Sequence, residues 1–431
     1  MSKKISFITL GCKVNQYDSQ AMLELFQEQG YAVASPSESA DVYVVNTCTV
    51  TGTGDQKSRQ LIRRCLRKNP DANLVIAGCL AQQRGEELRE SGARLIIGTQ
   101  YRGQVVELLE KAIAEDTQIV AVEALESVPY EPLTIRRHEG HTRAVMKIQE
   151  GCDRHCTYCI IPSVRGNVRS RDLNSIQREA AELAKAGFQE IVLTGIHLTS
   201  YGRDLPGRPS LMDAAREICA QDGIARVRLG SLEPCAVNDA FVSAAAAMPK
   251  LCPQFHLALQ SGSDNVLRQM KRSYTTEQFL AGVQRLREVF PHAAFTTDVI
   301  VGFPGETEAD FAQTLAFCEK VGFAKIHVFP YSKREGTPAA SMPMQVPKAE
   351  KDRRVHALMA LGEVLSENYR RSMLGEIREV LLEEALPSGQ WEGYTPEYIH
   401  TVVSAGQSGQ RAMVRLSELT KEGMTGMIVE S

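Results

Sequence analysis

Gly151-Cys152-Asp153-Arg154-His155-Cys156-Thr157-Tyr158-Cys159 is the stretch on which the reading of the whole chain turns. Three cysteines fall within eight residues at the spacing C-x3-C-x2-C. Thiolates hold iron–sulfur clusters, and a run this tight has to be a loop whose sulfurs converge. Zinc sites are spaced differently, as paired C-x2-C units or with added histidines. Three thiolates on a four-iron cluster leave one iron without a protein ligand. An open metal position marks catalysis more than structure. The bland alternative is three unrelated buried thiols.

Strand-like runs surround this loop at regular intervals. Ala144–Gln149, Glu190–Thr194, Ala225–Leu229, Gln254–Leu259, Phe295–Val301 and Lys325–Pro330 are each followed by a helical stretch. Repeats of that kind predict a (β/α) barrel or part of one, with its chemistry at the carboxyl ends of the strands. Polar text sits there: Gly195 and His197, then Gly230-Ser231-Leu232-Glu233-Pro234, then Gln260-Ser261-Gly262-Ser263. Glu233 is the carboxylate to single out, with Gln260 and Ser261 behind it. Asp298 is expected to face the interior, and His256 reads as a satisfied core histidine. Past the cysteine loop, Arg165, Arg169 and Arg171 put three arginines in seven residues. Flexible text of this sort suits phosphate or carboxylate recognition, or is an exposed polar loop.

Upstream, strands are expected at Ile5–Thr9, Val42–Asn46, Leu74–Gly78 and Leu95–Gly98, with helices near Tyr17–Gln29, Asp55–Lys68 and Gln82–Glu90. Such alternation argues for a parallel α/β layer. Cys12, Cys48 and Cys79 each follow a strand. Ligands gather at those ends, so a second three-thiolate site is the expectation, against the alternative of small buried side chains. Asp55–Lys68 carries six bases and one acid, which suits either a solvated face or a phosphate backbone. Residues 116–143 read as a linker. Val346–Leu374 reads as a charged helix across the barrel. Beyond it, short strand runs from Ile377 to Val429 predict a small antiparallel β-barrel.

The fold class expected is therefore α/β: an N-terminal parallel α/β domain (1–115), a linker (116–143), a central partial (β/α)6 TIM-like barrel (144–373) and a small β-barrel (374–431). The chain has 431 residues, 43% hydrophobic, with a net charge of −3. That charge excludes a globally basic nucleic-acid binder and leaves RNA contact to local patches. No apolar run spans a bilayer. The basic opening leads through Ile5–Leu10 into Gly11-Cys12, as a strand and not a secretory signal. Eleven cysteines without export features predict reduced thiols and a cytoplasmic protein.

The cysteine loop resembles the signature of the radical S-adenosylmethionine (SAM) enzymes. In them the methionine part of SAM fills the open iron position, and reduction yields a 5′-deoxyadenosyl radical. The whole chain resembles the methylthiotransferase family, through Thr9-Leu10-Gly11-Cys12-Lys13-Val14-Asn15-Gln16-Tyr17, Asn46-Thr47-Cys48-Thr49-Val50-Thr51, Ala77-Gly78-Cys79, His256–Ser263 and Val301–Thr307. The resemblance implies two 4Fe–4S clusters, on Cys152, Cys156 and Cys159 and on Cys12, Cys48 and Cys79. It implies SAM contacts from Tyr158, Gly195, Ser231, Glu233 and Gln260, and a C-terminal RNA-binding TRAM domain. Gly-Cys-Lys-Val-Asn-Gln-Tyr and Lys57-Ser58-Arg59-Gln60 look like the branch acting on N6-threonylcarbamoyladenosine beside the anticodon of tRNA. There the C2 hydrogen is replaced by methylthio, and Arg165, Arg169 or Arg171 would pair with the substrate carboxylate. The same chemistry on isopentenyladenosine or on a ribosomal-protein aspartate is the near alternative. A non-catalytic RNA binder is the distant one. Implied partners are tRNA at its anticodon loop and a reductant protein such as flavodoxin or ferredoxin, with no membrane.

Overall fold

A computed structural model describes residues 3–126, 128–136 and 142–429. Six strands build the N-terminal sheet: β1 (Lys4–Thr9), β2 (Ala32–Val33), β3 (Val42–Thr47), β4 (Asn73–Gly78), β5 (Leu95–Ile97) and β6 (Ile119–Ala121). Their spatial order is β2-β1-β3-β4-β5-β6 and every pairing is parallel. β3, all apolar but for its last two residues, is buried along its whole length, as a central parallel strand with helices on both faces must be. Because β1, β3 and β4 are neighbours, the residues just past their carboxyl ends are neighbours too. Those residues include Cys12, Cys48 and Cys79.

The linker expected at 116–143 is shorter than that. Ile119–Ala121 pairs with Leu95–Ile97 as the edge strand of the first sheet. Leu133 and Ile135 are buried in the central core, and the Tyr130 hydroxyl donates to the Lys147 carbonyl at 2.8 Å. Ser127 and residues 137–141 of that stretch lie outside the described residues.

The central domain holds β7 (Arg143–Glu150), β8 (Arg169–Ser170), β9 (Glu190–Gly195), β10 (Arg226–Leu229), β11 (Ser231–Leu232), β12 (Gln254–Leu257), β13 (Ala294–Val301) and β14 (Lys325–Pro330). The pairing runs β8-β7-β9-β10 and β11-β12-β13-β14, with β10 and β11 one run interrupted at Gly230. β8 alone is antiparallel. β7 and β14 do not pair among the described residues, so the barrel is open. Alternation sets what faces inward. On β13, Phe295, Thr297, Val299 and Val301 are buried while Thr296 and Asp298 turn to the lumen. The helix Lys348–Arg371 packs against β14.

β15 (Ile377–Ala385), β16 (Trp391–Tyr394), β17 (His400–Val403), β18 (Arg411–Leu419) and β19 (Met424–Ile428) close a small barrel around its own core. It departs from the antiparallel expectation at one place: β17 and β19 pair in parallel. The barrel docks through arginines. Arg228 donates to Glu190 at 2.8 Å and to the Pro396 carbonyl at 2.7 Å. Arg226 reaches the Tyr394 carbonyl at 2.9 Å, and Arg143 lies over the rings of Tyr394 and Tyr398.

Candidate active site

Cys152, Cys156 and Cys159 share one loop at the end of β7, and each thiol lies in the electrostatic field of another. The loop can form because Gly151 takes φ +75° and lies against β8's approach, where a Cβ would meet the Asn167 carbonyl oxygen at 1.8 Å. Burial pushes the Cys152 thiol up to about 11 and Cys159 to about 12. A bound cation reverses that logic by favouring the thiolate. Two donors already point at the sulfurs: the Arg154 backbone N–H at 3.4 Å from Cys152 and Arg272 Nη1 at 3.2 Å from Cys156.

Cys12, Cys48 and Cys79 converge across 68 residues of chain. A Cβ on Gly11 (φ +99°) would lie 2.9 Å from the Cys48 Cβ. Cys48, pushed up to about 11 by burial, feels both Cys79 and Cys12. Arg165 Nε donates to the Cys79 sulfur at 3.2 Å. Both triads are thus grouped thiols with cationic donors, a donor set that fits an iron–sulfur cluster with one position left open.

Glu233 is buried beneath the first triad. It accepts from Arg272 at 3.0 Å, Arg154 at 3.2 Å and His197 Nε2 at 3.2 Å. Burial works against its ionisation, but His197 and the two arginines outweigh it and hold the carboxyl at about 2. Arg272 therefore ties Glu233 to Cys156. Tyr158 packs beside Val266, Met270 and Tyr331. Gln260 sits at φ +65° with its N–H bonded to the Asp298 carbonyl at 2.9 Å.

A cavity of about 960 Å³ runs through the barrel lumen between the three domains. Cys12 and Lys13 of the first domain, Gly195, Ser231 and Arg228 of the barrel, and Tyr398 and His400 of the C-terminal domain share its wall. His256, Asp298 and His327 line it on successive strands, their ligand atoms within 4.8 Å of one another. Two of the three already have partners: Gln254 donates to Thr296 at 3.1 Å, Thr296 and His256 Nδ1 are 3.0 Å apart, and His256 Nε2 is 3.3 Å from Asp298. His256 is thus satisfied, as expected, but on the cavity wall and not in the core.

Residues 4–98 match the profile of the uncharacterized protein family UPF0004, and residues 146–318 that of the radical SAM superfamily. The threonylcarbamoyladenosine tRNA methylthiotransferase MtaB of Bacillus subtilis is 41% identical over 404 residues, 92% of this chain and 90% of that protein. MtaB of Thermotoga maritima is 37% identical over 98% of this chain and 96% of its own. The chain belongs to the methylthiotransferase family of radical SAM enzymes. A more distant relative, the tRNA-2-methylthio-N(6)-dimethylallyladenosine synthase of Carboxydothermus hydrogenoformans, is 36% identical over 88% of each chain. Among solved structures, the radical SAM methyltransferase TsrM of Kitasatospora setae, with cobalamin and a 4Fe-4S cluster bound, superposes with a TM-score of 0.56 over 79% of this chain and 77% of its own. At 16% identity that likeness is one of fold.

The methylthiotransferase departs from the sequence reading at its three arginines. Arg165, Arg169 and Arg171 are buried, not in a flexible loop. Arg165 donates to Asp18, Glu150, Asn15 and Cys79. Arg171 pairs with Glu179 and donates to the Tyr17 hydroxyl at 3.3 Å. Arg169 donates to the Arg165 carbonyl at 2.9 Å. Arg165 ends the short helix Ile161–Arg165, Arg169 opens β8 and Arg171 follows it directly. The acids that receive Arg165 and Arg171 lie elsewhere in sequence, on the helices Lys13–Glu28 and Leu173–Lys185 and at the end of β7. Sequence reasoning also missed Arg272 and Arg154 as partners of Glu233. No spacing signals them, since each is brought in by a loop.

Proposed function

We propose that this enzyme replaces the C2 hydrogen of N6-threonylcarbamoyladenosine, next to the anticodon of tRNA, with a methylthio group. The observation that carries the reading is the cavity wall. It joins Cys12 of one thiol triad to the barrel-mouth residues Gly195 and Ser231 in a single space, in a chain 41% identical to an MtaB over nearly its whole length. In this reading Cys152, Cys156 and Cys159 hold the 4Fe–4S cluster that works with SAM. Cys12, Cys48 and Cys79 hold a second one, the source of the sulfur. The first, when bound, supplies radical chemistry able to open a C–H bond that acid–base catalysis cannot.

The chain's own residues orient and exclude. Glu233, kept ionised by Arg154, Arg272 and His197, suits the polar groups of SAM. Gly195 and Ser231 line the cavity wall, with Tyr158 packed behind the cysteine loop and Gln260 turning the chain after β12. The target base lies in a loop, where it can be splayed out of its stack. The C-terminal barrel gives the RNA a second surface, in keeping with a TRAM-like role. A protein reductant such as flavodoxin or ferredoxin feeds the clusters.

The test is a side-by-side assay of tRNA carrying threonylcarbamoyladenosine, tRNA carrying isopentenyladenosine and ribosomal protein, with iron counted after anaerobic reconstitution. About eight irons per chain are expected, and about four after Cys152, Cys156 and Cys159 are all changed to Ala. Methylthiolation should appear in the first substrate. Four irons falling to none would remove the second cluster and the sulfur-transfer reading with it.

A further inference from the structure

The charges along the cavity wall are almost all spent on one another. Arg228 is bound by Glu190 and the Pro396 carbonyl. Arg370 is bound by the carbonyls of Thr420 and Lys421 at 3.3 and 3.1 Å. Lys325 faces Glu363 at 3.8 Å, and Asp298 is taken by His256. Lys13 has no such partner among the described residues, nor do Lys421 and Glu422 on the C-terminal barrel's side of the wall. Lys13 lines the cavity directly after Cys12, as the first residue of the helix Lys13–Glu28. Among the described residues its ammonium has no hydrogen bond or ion pair. Its charged neighbours are Arg228 and Arg143, both positive, and Glu190, already committed to Arg228. Lys13 is exposed on the cavity wall beside Cys12, where its unpaired ammonium can offer a charge-assisted contact to an anion from outside the chain.

We infer that Lys13 is the residue that receives the threonyl carboxylate of the modified adenosine and so sets which hypermodified base is accepted. The inference rests on the function proposed above and names the contact that would read it. The chemistry of the base supports the placement. A threonylcarbamoyl N–H can close a six-membered hydrogen-bonded ring onto adenine N1, which lays the threonine along the N1–C2 edge. The carboxylate then sits on the same side of the ring as the carbon to be modified. Lys13 occupies the matching place, one residue from Cys12. An isopentenyl group offers no charge to pair with it, and an uncompensated ammonium facing an apolar tail disfavours that substrate.

The experiment uses the reconstituted holoenzyme and its Lys13→Met, Lys13→Gln and Lys13→Arg variants. Substrates are tRNA carrying threonylcarbamoyladenosine, the same tRNA as its threonyl methyl ester, and tRNA carrying isopentenyladenosine. The wild type is expected to prefer the free carboxylate over the ester by roughly 30-fold in kcat/KM, the size of one charge-assisted contact. Lys13→Met and Lys13→Gln should erase that preference, mainly through KM, while Lys13→Arg keeps most of it. Iron content of each variant reports an intact cluster site, and Lys13→Gln serves where Lys13→Met disturbs the neighbouring Cys12. A preference that survives both neutral substitutions overturns the inference and leaves the proposed function standing. A wild type that modifies only isopentenyladenosine overturns both.

Discussion

Arg165 has four acceptors and no contact with solvent. Removing a partner from a buried ion network leaves the remaining charge uncompensated, at a cost of about 3–5 kcal/mol. Arg165→Met should therefore lower the unfolding free energy of the apoprotein by that much, read from the shift of its urea midpoint. Unchanged stability with a raised KM for tRNA would return Arg165 to the substrate. Glu190 offers a second single-residue test. Burial opposes its ionisation, but Arg228 and Arg226 hold its carboxyl below the usual range. A depressed carboxyl contributes stability above its unfolded value, near 4.3, and loses it as pH falls through the folded one. Glu190→Gln should cost about 3 kcal/mol at pH 7, and the gap to wild type should close below about pH 4. A constant gap would mean the pair is not ionic. At this scale the grouping of Cys152, Cys156 and Cys159 was legible from their spacing, and that of Cys12, Cys48 and Cys79 from their places past neighbouring strand ends. The arginines were not, because a charge in sequence does not say whether an acid waits for it across an interface.

The helix Gly52–Lys68 starts just after Cys48 and is capped by Thr51, which accepts from the Gly54 N–H at 3.1 Å. Its buried stripe is Ser58, Ile62 and Cys65, while Lys57, Arg59, Arg63, Arg64 and Arg67 are exposed and without acidic partners among the described residues. Surface cations of that density next to a site acting on RNA fit a phosphate backbone. Changing Lys57, Arg59 and Arg63 together to Gln, which keeps helix propensity, should weaken tRNA binding and lower the salt slope of log K by about 2 to 3. Anisotropy across a salt series reads this directly, and an unaltered slope would show a merely solvated face. The long strands were readable because their apolar runs are local facts. β2, β6 and the helix Val105–Ala114 were passed over. β6 is three residues, Ile119-Val120-Ala121, and exists because the edge of β5 was free to take it.

Across the whole molecule, the first and central domains are fastened by Asp18, Glu150, Arg102, Lys147 and Arg165, all buried. Their charges cannot be exposed on one side without stranding the other, so the two domains should melt in one calorimetric transition. Asp18→Asn should split it; two transitions in the wild type would deny the coupling. This arrangement was out of reach of the sequence, which shows each domain's pattern but not the faces that meet. The same fastening makes the span between the Cys12 wall and the Ser231 wall a fixed length. An enzyme with a stiff gap does not adapt to its substrate, so the yielding is left to the nucleic acid. Turnover on different tRNAs should then follow the ease with which each anticodon loop unstacks, even where their affinities are equal.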